Sequence, residues 1–205
     1  MGQIIGLLGG VASGKSTVAK LLRDAGWLVL DADEVARQVV SEPAVAQALA
    51  RRFGSDLFDG EGALDRALLA TRAFSSPSET EALNAIVHPA VRLRLTSQLD
   101  EAGSRNVALD IPLLLESPLA ERVDRWVFIA TDEARRDRWA ATRDWAPGER
   151  ARREALQAAL DEKQAAADHV LENNGTIDDL GAQVEALLRA WAATTSDHTP
   201  GDREP

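Results

Sequence analysis

The sequence predicts an α/β fold, a parallel five-stranded sheet with helices on both faces. Three observations predict it. Short apolar segments of strand length alternate with stretches of helical spacing, and such alternation builds parallel sheets covered on both sides. The first apolar segment runs straight into a glycine-rich turn, Gly9-Gly10-Val11-Ala12-Ser13-Gly14-Lys15-Ser16, with Thr17 following. Two intervals between strands, about seventy and about forty residues long, hold helical patterns and no strand pattern. They read as a helical insertion and a helical lid.

The elements follow in order. Gln3 to Leu8 is a short apolar run with the length of a buried strand. Val18 to Gly26 is helical in spacing and closes on a glycine suited to a C-cap. Trp27-Leu28-Val29-Leu30 is a second strand ending at Asp31-Ala32-Asp33. Helices are expected at 44–53, 66–74 and 79–101, parted by turn chemistry around Asp59-Gly60 and Ser76-Pro77. Val107 to Ile111 and Trp126 to Ala130 are further strands, and Thr131 or Asp132 can cap the next helix. An arginine-rich block gives two helices parted at Trp145-Ala146-Pro147-Gly148, where Pro147 cannot continue the first. His169 to Glu172 is the last strand, Asp178 to Ala193 the last helix, and Thr194 to Pro205 a polar, frayed tail.

The glycine-rich turn fits G-x-x-x-x-G-K-[ST], the phosphate-binding loop pattern, and makes the expected sheet one of the P-loop NTPase type. Glycines let successive N–H groups turn inward toward phosphate oxygens. The helix N-terminus adds partial positive charge. Gly9, Gly10, Val11, Ala12, Ser13, Gly14, Lys15, Ser16 and Thr17 are therefore candidate nucleotide contacts. Lys15 can reach the β- and γ-phosphates, and the Ser16 hydroxyl can ligate Mg²⁺. ATP and Mg²⁺ are the expected cofactors, and ligands should sit at the carboxyl edge of the sheet.

Composition narrows the rest. The chain has 205 residues, no cysteine and three histidines, so neither disulfides nor a zinc site is expected. No apolar run has membrane-spanning length and no leader pattern opens the chain; the cytoplasm is the default compartment. A net charge of −10 argues against a nucleic-acid partner. A polyanionic nucleotide then needs a locally basic place. Seven arginines between Arg135 and Arg153 supply one, against Asp137, Asp144 and Glu149. Each of these arginines could equally be a solvated partner in an i,i+4 pair. The sequence does not give the oligomeric state, and a monomer is the working expectation.

Asp33 follows the second strand and is placed to accept the proton of an attacking hydroxyl. It could instead cap the helix that begins near Glu34, and Asp31 competes for the catalytic role. Asp110, at the end of another core strand, can hold Mg²⁺ through water, or can serve as a turn or cap residue. No guanine-recognition Asn/Thr-Lys-x-Asp is present, and the chain is short for an ATPase motor. A kinase for a small molecule remains.

The chain resembles the dephospho-CoA kinase family from about Ile4 to Leu188. The resemblance rests on the loop, on Leu30-Asp31-Ala32-Asp33-Glu34-Val35-Ala36-Arg37, on Phe53-Gly54, and on Gly62-Ala63-Leu64-Asp65-Arg66 and Phe74. It continues through Leu83-Asn84-Ala85-Ile86-Val87-His88-Pro89, Asp110 to Glu116, Arg138, Arg143, Gln157 and Ala167 to Asn173. It implies phosphorylation of the ribose 3′-hydroxyl of dephospho-CoA to coenzyme A, with a small-molecule substrate and no nucleic-acid or membrane partner. The alternative is a P-loop kinase for another small alcohol or nucleotide.

By the same resemblance Asp33 is the expected general base, with Lys15 and Arg138 acting on the transferring phosphoryl group. Arg143 would support the lid, and the segment around Asn173 would lie near the adenine. Arg37, Arg66, His88, Asp33 and Asp110 would serve the acceptor side, and Ser16 and Asp110 the metal. His88-Pro89 could also simply set a helix bend, and Arg66 could be a buried ion-pair partner. Three residues depart from the family pattern: Leu8 in place of Thr, Glu154 in place of an apolar residue, and His169 in place of Tyr. The expected division is a nucleotide-binding core at 1–33, 104–130 and 166–195, a substrate insertion at 34–103, a lid at 131–165 and a flexible tail at 196–205.

Overall fold

The computed structural model describes residues 2–143, 145 and 148–196. Ala146, Pro147, Asp144 and residues 197–205, with most of the expected tail, lie outside the described residues. Five strands form one sheet: β1 (Ile4–Gly9), β2 (Leu28–Asp31), β3 (Val107–Asp110), β4 (Arg125–Ala130) and β5 (His169–Glu172), in the order β2-β3-β1-β4-β5. β1 pairs in parallel with β3, Ile5 opposite Ala108, and with β4, Leu7 opposite Val127. β4 pairs in parallel with β5, Ile129 opposite Leu171. The central strand is thus the one that feeds the phosphate loop.

Nine helices join the strands among the described residues: α1 (Lys15–Asp24), α2 (Ala32–Val39), α3 (Pro43–Phe53), α4 (Arg66–Ala73), α5 (Pro77–Glu101), α6 (Glu133–Ala141), α7 (Glu149–Glu154), α8 (Leu160–Ala165) and α9 (Ile177–Ser196). The arginine-rich block holds α6 and α7, two helices as the sequence suggests, and α8 follows it before β5. α9 continues three residues beyond the expected end of the last helix, to Ser196.

The chain divides into two compact units: residues 3–29 with 106 onward, and residues 30–105 with Gly2. In the first, Ile5, Leu7, Val18, Leu22, Ala108, Val127, Ile129, Leu171, Leu180, Val184 and Trp191 form a continuous apolar core. Alternating positions of parallel strands are buried on both faces, which is why these strands read as unbroken apolar runs. Trp191 donates its indole N–H to His169 Nε2 at 3.0 Å. This gives the family departure at His169 a physical basis, since the ring nitrogen accepts a bond that a buried indole requires. Leu8 is buried under the loop, as an apolar residue at that place should be.

In the second unit α5 packs against α2, α3 and α4. Val87, Val91, Leu95 and Leu99 fall every fourth residue and form its buried stripe. The helix passes Pro89 without ending; proline removes one i→i−4 bond there. Leu95 is 2% exposed, and Leu95→Ala should lower the unfolding free energy by about 2–5 kcal/mol, measured by urea denaturation. No helix among the described residues is long and apolar enough to cross a membrane.

Candidate active site

The phosphate loop joins β1 to α1. Gly14 caps α1 with φ +91°, and Ala12 also has positive φ, at +62°. Positive φ at such positions is the turn chemistry from which backbone N–H groups can form an anion-binding concavity. The backbone closes on itself through Ser13 N–H to Gly10 O at 3.2 Å and Thr17 N–H to Gly14 O at 2.9 Å. Helix α1 begins at Lys15, earlier than its apolar spacing suggests, because the left-handed glycine is its N-cap.

The loop is braced from remote parts of the chain. Asn173, just past β5, donates its amide N–H to Ser13 O at 2.8 Å, and its own backbone N–H bonds Ala130 O at 2.7 Å. Thr131 adds its hydroxyl to the same Ser13 carbonyl at 2.8 Å. Asn173 therefore holds the loop's shape; its amide is already engaged there. A Cβ at Gly14 would run into that amide. Gly14→Ala should weaken ATP binding by about tenfold or more, since left-handed backbone costs roughly 1–2 kcal/mol for a non-glycine residue. Calorimetric titration with ATP checks this.

Lys15 lies across the loop, its Nζ donating to Gly10 O at 3.1 Å and Gly9 O at 3.3 Å. Loss of solvent pushes its pKa below the usual lysine value, Asp110 and Glu154 oppose that, and Lys163 and Arg143 reinforce it. Four charged side chains therefore act on one ammonium. A triphosphate would supply the negative charge that this group of cations lacks.

Asp110 closes β3, and Ser16 stands exposed in the first turn of α1. One hydroxyl and one carboxylate fit a hard divalent cation whose other ligands are phosphate oxygens and water. No cluster of three His, Cys, Asp or Glu residues suited to a metal exists among the described residues.

Sequence reasoning missed two cations. Helix α6 turns Arg136, 5% exposed, inward, where it pairs with Glu154. Arg138 is exposed on that helix, with no hydrogen bond or ion pair among the described residues. Arg143 is exposed and stacks over the Trp145 ring at 4.7 Å, with Arg153 over that ring at 4.5 Å. Lys163 is 3% exposed and donates to Gln157 Oε1 at 2.7 Å. Burial lowers its pKa, while Glu116 and Glu154 raise it. Its signal was rarity: the chain has three lysines, and a lone lysine in an arginine-rich sequence stands out.

In the other unit, the side chain of Asp31 caps α2, accepting from Asp33 N at 2.8 Å and Glu34 N at 3.0 Å. The capping role considered for Asp33 belongs to Asp31. Asp33 is exposed, and its carboxylate makes no hydrogen bond or ion pair among the described residues. Arg66 donates to the Arg37 carbonyl at 2.8 Å, so these two candidate acceptor-side residues are brought together. Arg66 is exposed, which rules out a buried ion pair. His88 is exposed on α5, with no bond to either among the described residues.

The profile of the dephospho-CoA kinase family matches residues 3–179. The chain belongs to the dephospho-CoA kinase family. A dephospho-CoA kinase of Corynebacterium glutamicum is 43% identical over 190 residues, covering 90% of this chain and 94% of its own. The crystal structure of TT1252 from Thermus thermophilus matches with a TM-score of 0.71 and 37% identity, over 92% of this chain and 97% of that one. Dephospho-CoA kinase from Campylobacter jejuni matches with a TM-score of 0.67 over 92% of this chain and 96% of its own. At 20% identity that likeness is one of fold. As a member of the dephospho-CoA kinase family, the chain is a P-loop phosphotransferase with a nucleotide substrate.

Proposed function

We propose that the protein transfers the γ-phosphoryl group of ATP to the ribose 3′-hydroxyl of dephospho-CoA, giving coenzyme A. The observation that carries this reading is the formed phosphate loop, with Lys15 across it, inside a chain matched by the family profile from residue 3 to residue 179. The loop amides would bind the triphosphate, and Lys15 would offset charge on the transferring group. In our reading Ser16 and Asp110 hold Mg²⁺ with the nucleotide, and the bound ion would neutralise charge on the phosphate oxygens.

Asp33 is the proposed base. Its carboxylate would orient the 3′-hydroxyl and accept its proton late, because a secondary alcohol is barely acidic. We assign Arg37, Arg66 and His88 to the acceptor side, Arg138 and Arg143 to the lid face of the nucleotide, and Asn173 to the nucleotide through its brace on the loop. The division proposed is residues 1–33, 104–130 and 166–195 for the nucleotide, 34–103 for dephospho-CoA and 131–165 for the lid. A monomer in the cytoplasm, where ATP is supplied, completes the reading.

The test is ATP turnover with and without dephospho-CoA, with the product examined for a new 3′-phosphate. Turnover should depend on dephospho-CoA and not on nucleoside monophosphates or sugars. ATP consumption that no acceptor stimulates would sink this reading.

A further inference from the structure

The carboxylate of Glu154 rests on the phosphate loop. It accepts the Val11 N–H at 3.2 Å and pairs with the Arg136 guanidinium and with Arg150, the latter at 2.6 Å. A Cβ built at Gly10 would meet Arg136 Nη1 at 2.5 Å and Glu154 Oε1 at 2.8 Å, so both groups lie against the loop backbone. An anion held by a loop amide and an arginine occupies the kind of place a phosphoryl oxygen takes.

The two arginines differ in what they would do without that carboxylate. Arg150 also binds Asp137 at 2.6 Å and Glu133 at 2.8 Å, so it stays neutralised. Arg136 has one carboxylate partner among the described residues, Glu154, and its Nε is buried with no hydrogen-bond partner there. Its side chain is 6% exposed. A buried guanidinium stripped of its counterion is strongly destabilising. Any movement of Glu154 off the loop therefore calls for another anion at Arg136.

We propose, on the reading that the loop binds a nucleoside triphosphate, that Arg136 is a further phosphate-binding residue and that Glu154 is its placeholder, exchanged for a phosphoryl group when the triphosphate enters. The planar guanidinium fork suits phosphate oxygens as well as it suits a carboxylate. Affinity for nucleotide is then a difference between two anions competing for the same donors. Glu154 also offsets the mutual repulsion of Lys15, Arg136, Arg143 and Lys163 in the empty protein. Its removal has opposite effects on empty stability and on phosphate affinity, which a merely structural ion pair would not produce.

The experiment titrates the full chain calorimetrically with ATP, inorganic tripolyphosphate and adenosine, and follows thermal unfolding without ligand. Glu154→Gln keeps the side chain's shape and removes its charge. Both phosphate ligands should bind about tenfold more tightly to it, a change of about 1.4 kcal/mol. Adenosine affinity should stay as in wild type, and the empty variant should melt lower. Arg136→Gln should weaken both phosphate ligands by about tenfold, and in the double variant Glu154→Gln should no longer raise affinity. Arg136→Lys, which keeps the charge and loses the fork, should fall between wild type and Arg136→Gln, and it carries this arm if Arg136→Gln does not fold.

Tripolyphosphate binding to Glu154→Gln no tighter than to wild type overturns the proposal. So does a folded Arg136 variant with wild-type phosphate affinity. Wild-type protein that binds neither ATP nor tripolyphosphate would overturn the triphosphate reading itself, a separate and distinguishable result.

Discussion

Lys15→Ala lowers dephospho-CoA phosphorylation at least about 10²-fold, the scale on which lost transition-state donors are felt. The ammonium is anchored to the Gly9 and Gly10 carbonyls and is depressed in pKa by loss of solvent. A desolvated cation interacts more strongly with developing charge than a hydrated one. The transition state of phosphoryl transfer spreads its charge over the equatorial oxygens, so a fixed cation there acts on the rate. Lys15→Arg should not restore the rate, because a planar fork cannot reproduce a point charge held by two carbonyls. The unliganded Lys15→Ala protein should melt no lower than wild type, since a partly desolvated charge beside other cations has been removed. Steady-state kinetics with thermal unfolding checks both halves; turnover within tenfold of wild type would refute the assignment.

Asp33→Asn lowers kcat by about 10²-fold or more, the range for a positioned proton acceptor, and alters dephospho-CoA affinity much less. The expectation depends on a proposed separation of tasks between Asp31 and Asp33. Asp31 holds the N-terminus of α2, so loss of charge at Asp33 leaves the cap in place and removes only a first-turn charge, about 0.3–1 kcal/mol. Asp31→Ala is the complementary control: it should lower stability by roughly 0.5–2 kcal/mol and reduce kcat far less. Comparison of kcat and KM for both variants, beside their unfolding midpoints, distinguishes base from cap. Near-normal turnover in Asp33→Asn would end the base assignment.

What the sequence made legible follows from the physics of each segment. β5 is found at His169–Glu172, as its pattern suggests, and the loop stands between β1 and α1. Buried parallel strands and glycine turns leave compositional marks that survive without coordinates. α6 was legible as a helix beginning after Asp132, but its buried face left no such mark. Its sequence, EARRDRWAA, carries arginine on several faces, and only Arg136 is buried. Spacing alone could not single out Arg136 from Arg135 or Arg138. Glu154, which departs from the family pattern, is the partner of that buried arginine. The sequence set Asn173 apart only through a family resemblance, and the brace on Ser13 O spans 160 positions, so no local pattern can reveal it. The helix that the sequence did not single out, α8, lies beyond the arginine-rich block in an alanine-rich stretch, and Ala159 precedes it without a side-chain cap bond.

The Asn173 brace has a consequence for how the protein comes into being. The glycine-rich turn is synthesised well before the amide that steadies it, which lies 160 positions further along the chain. Its strand, β1, meanwhile has to wait for β3 and β4 before it has neighbours. A nascent chain that has not yet reached β5 would carry the motif without its brace, so a ligand that favours the braced loop could stabilise it only once that strand is made.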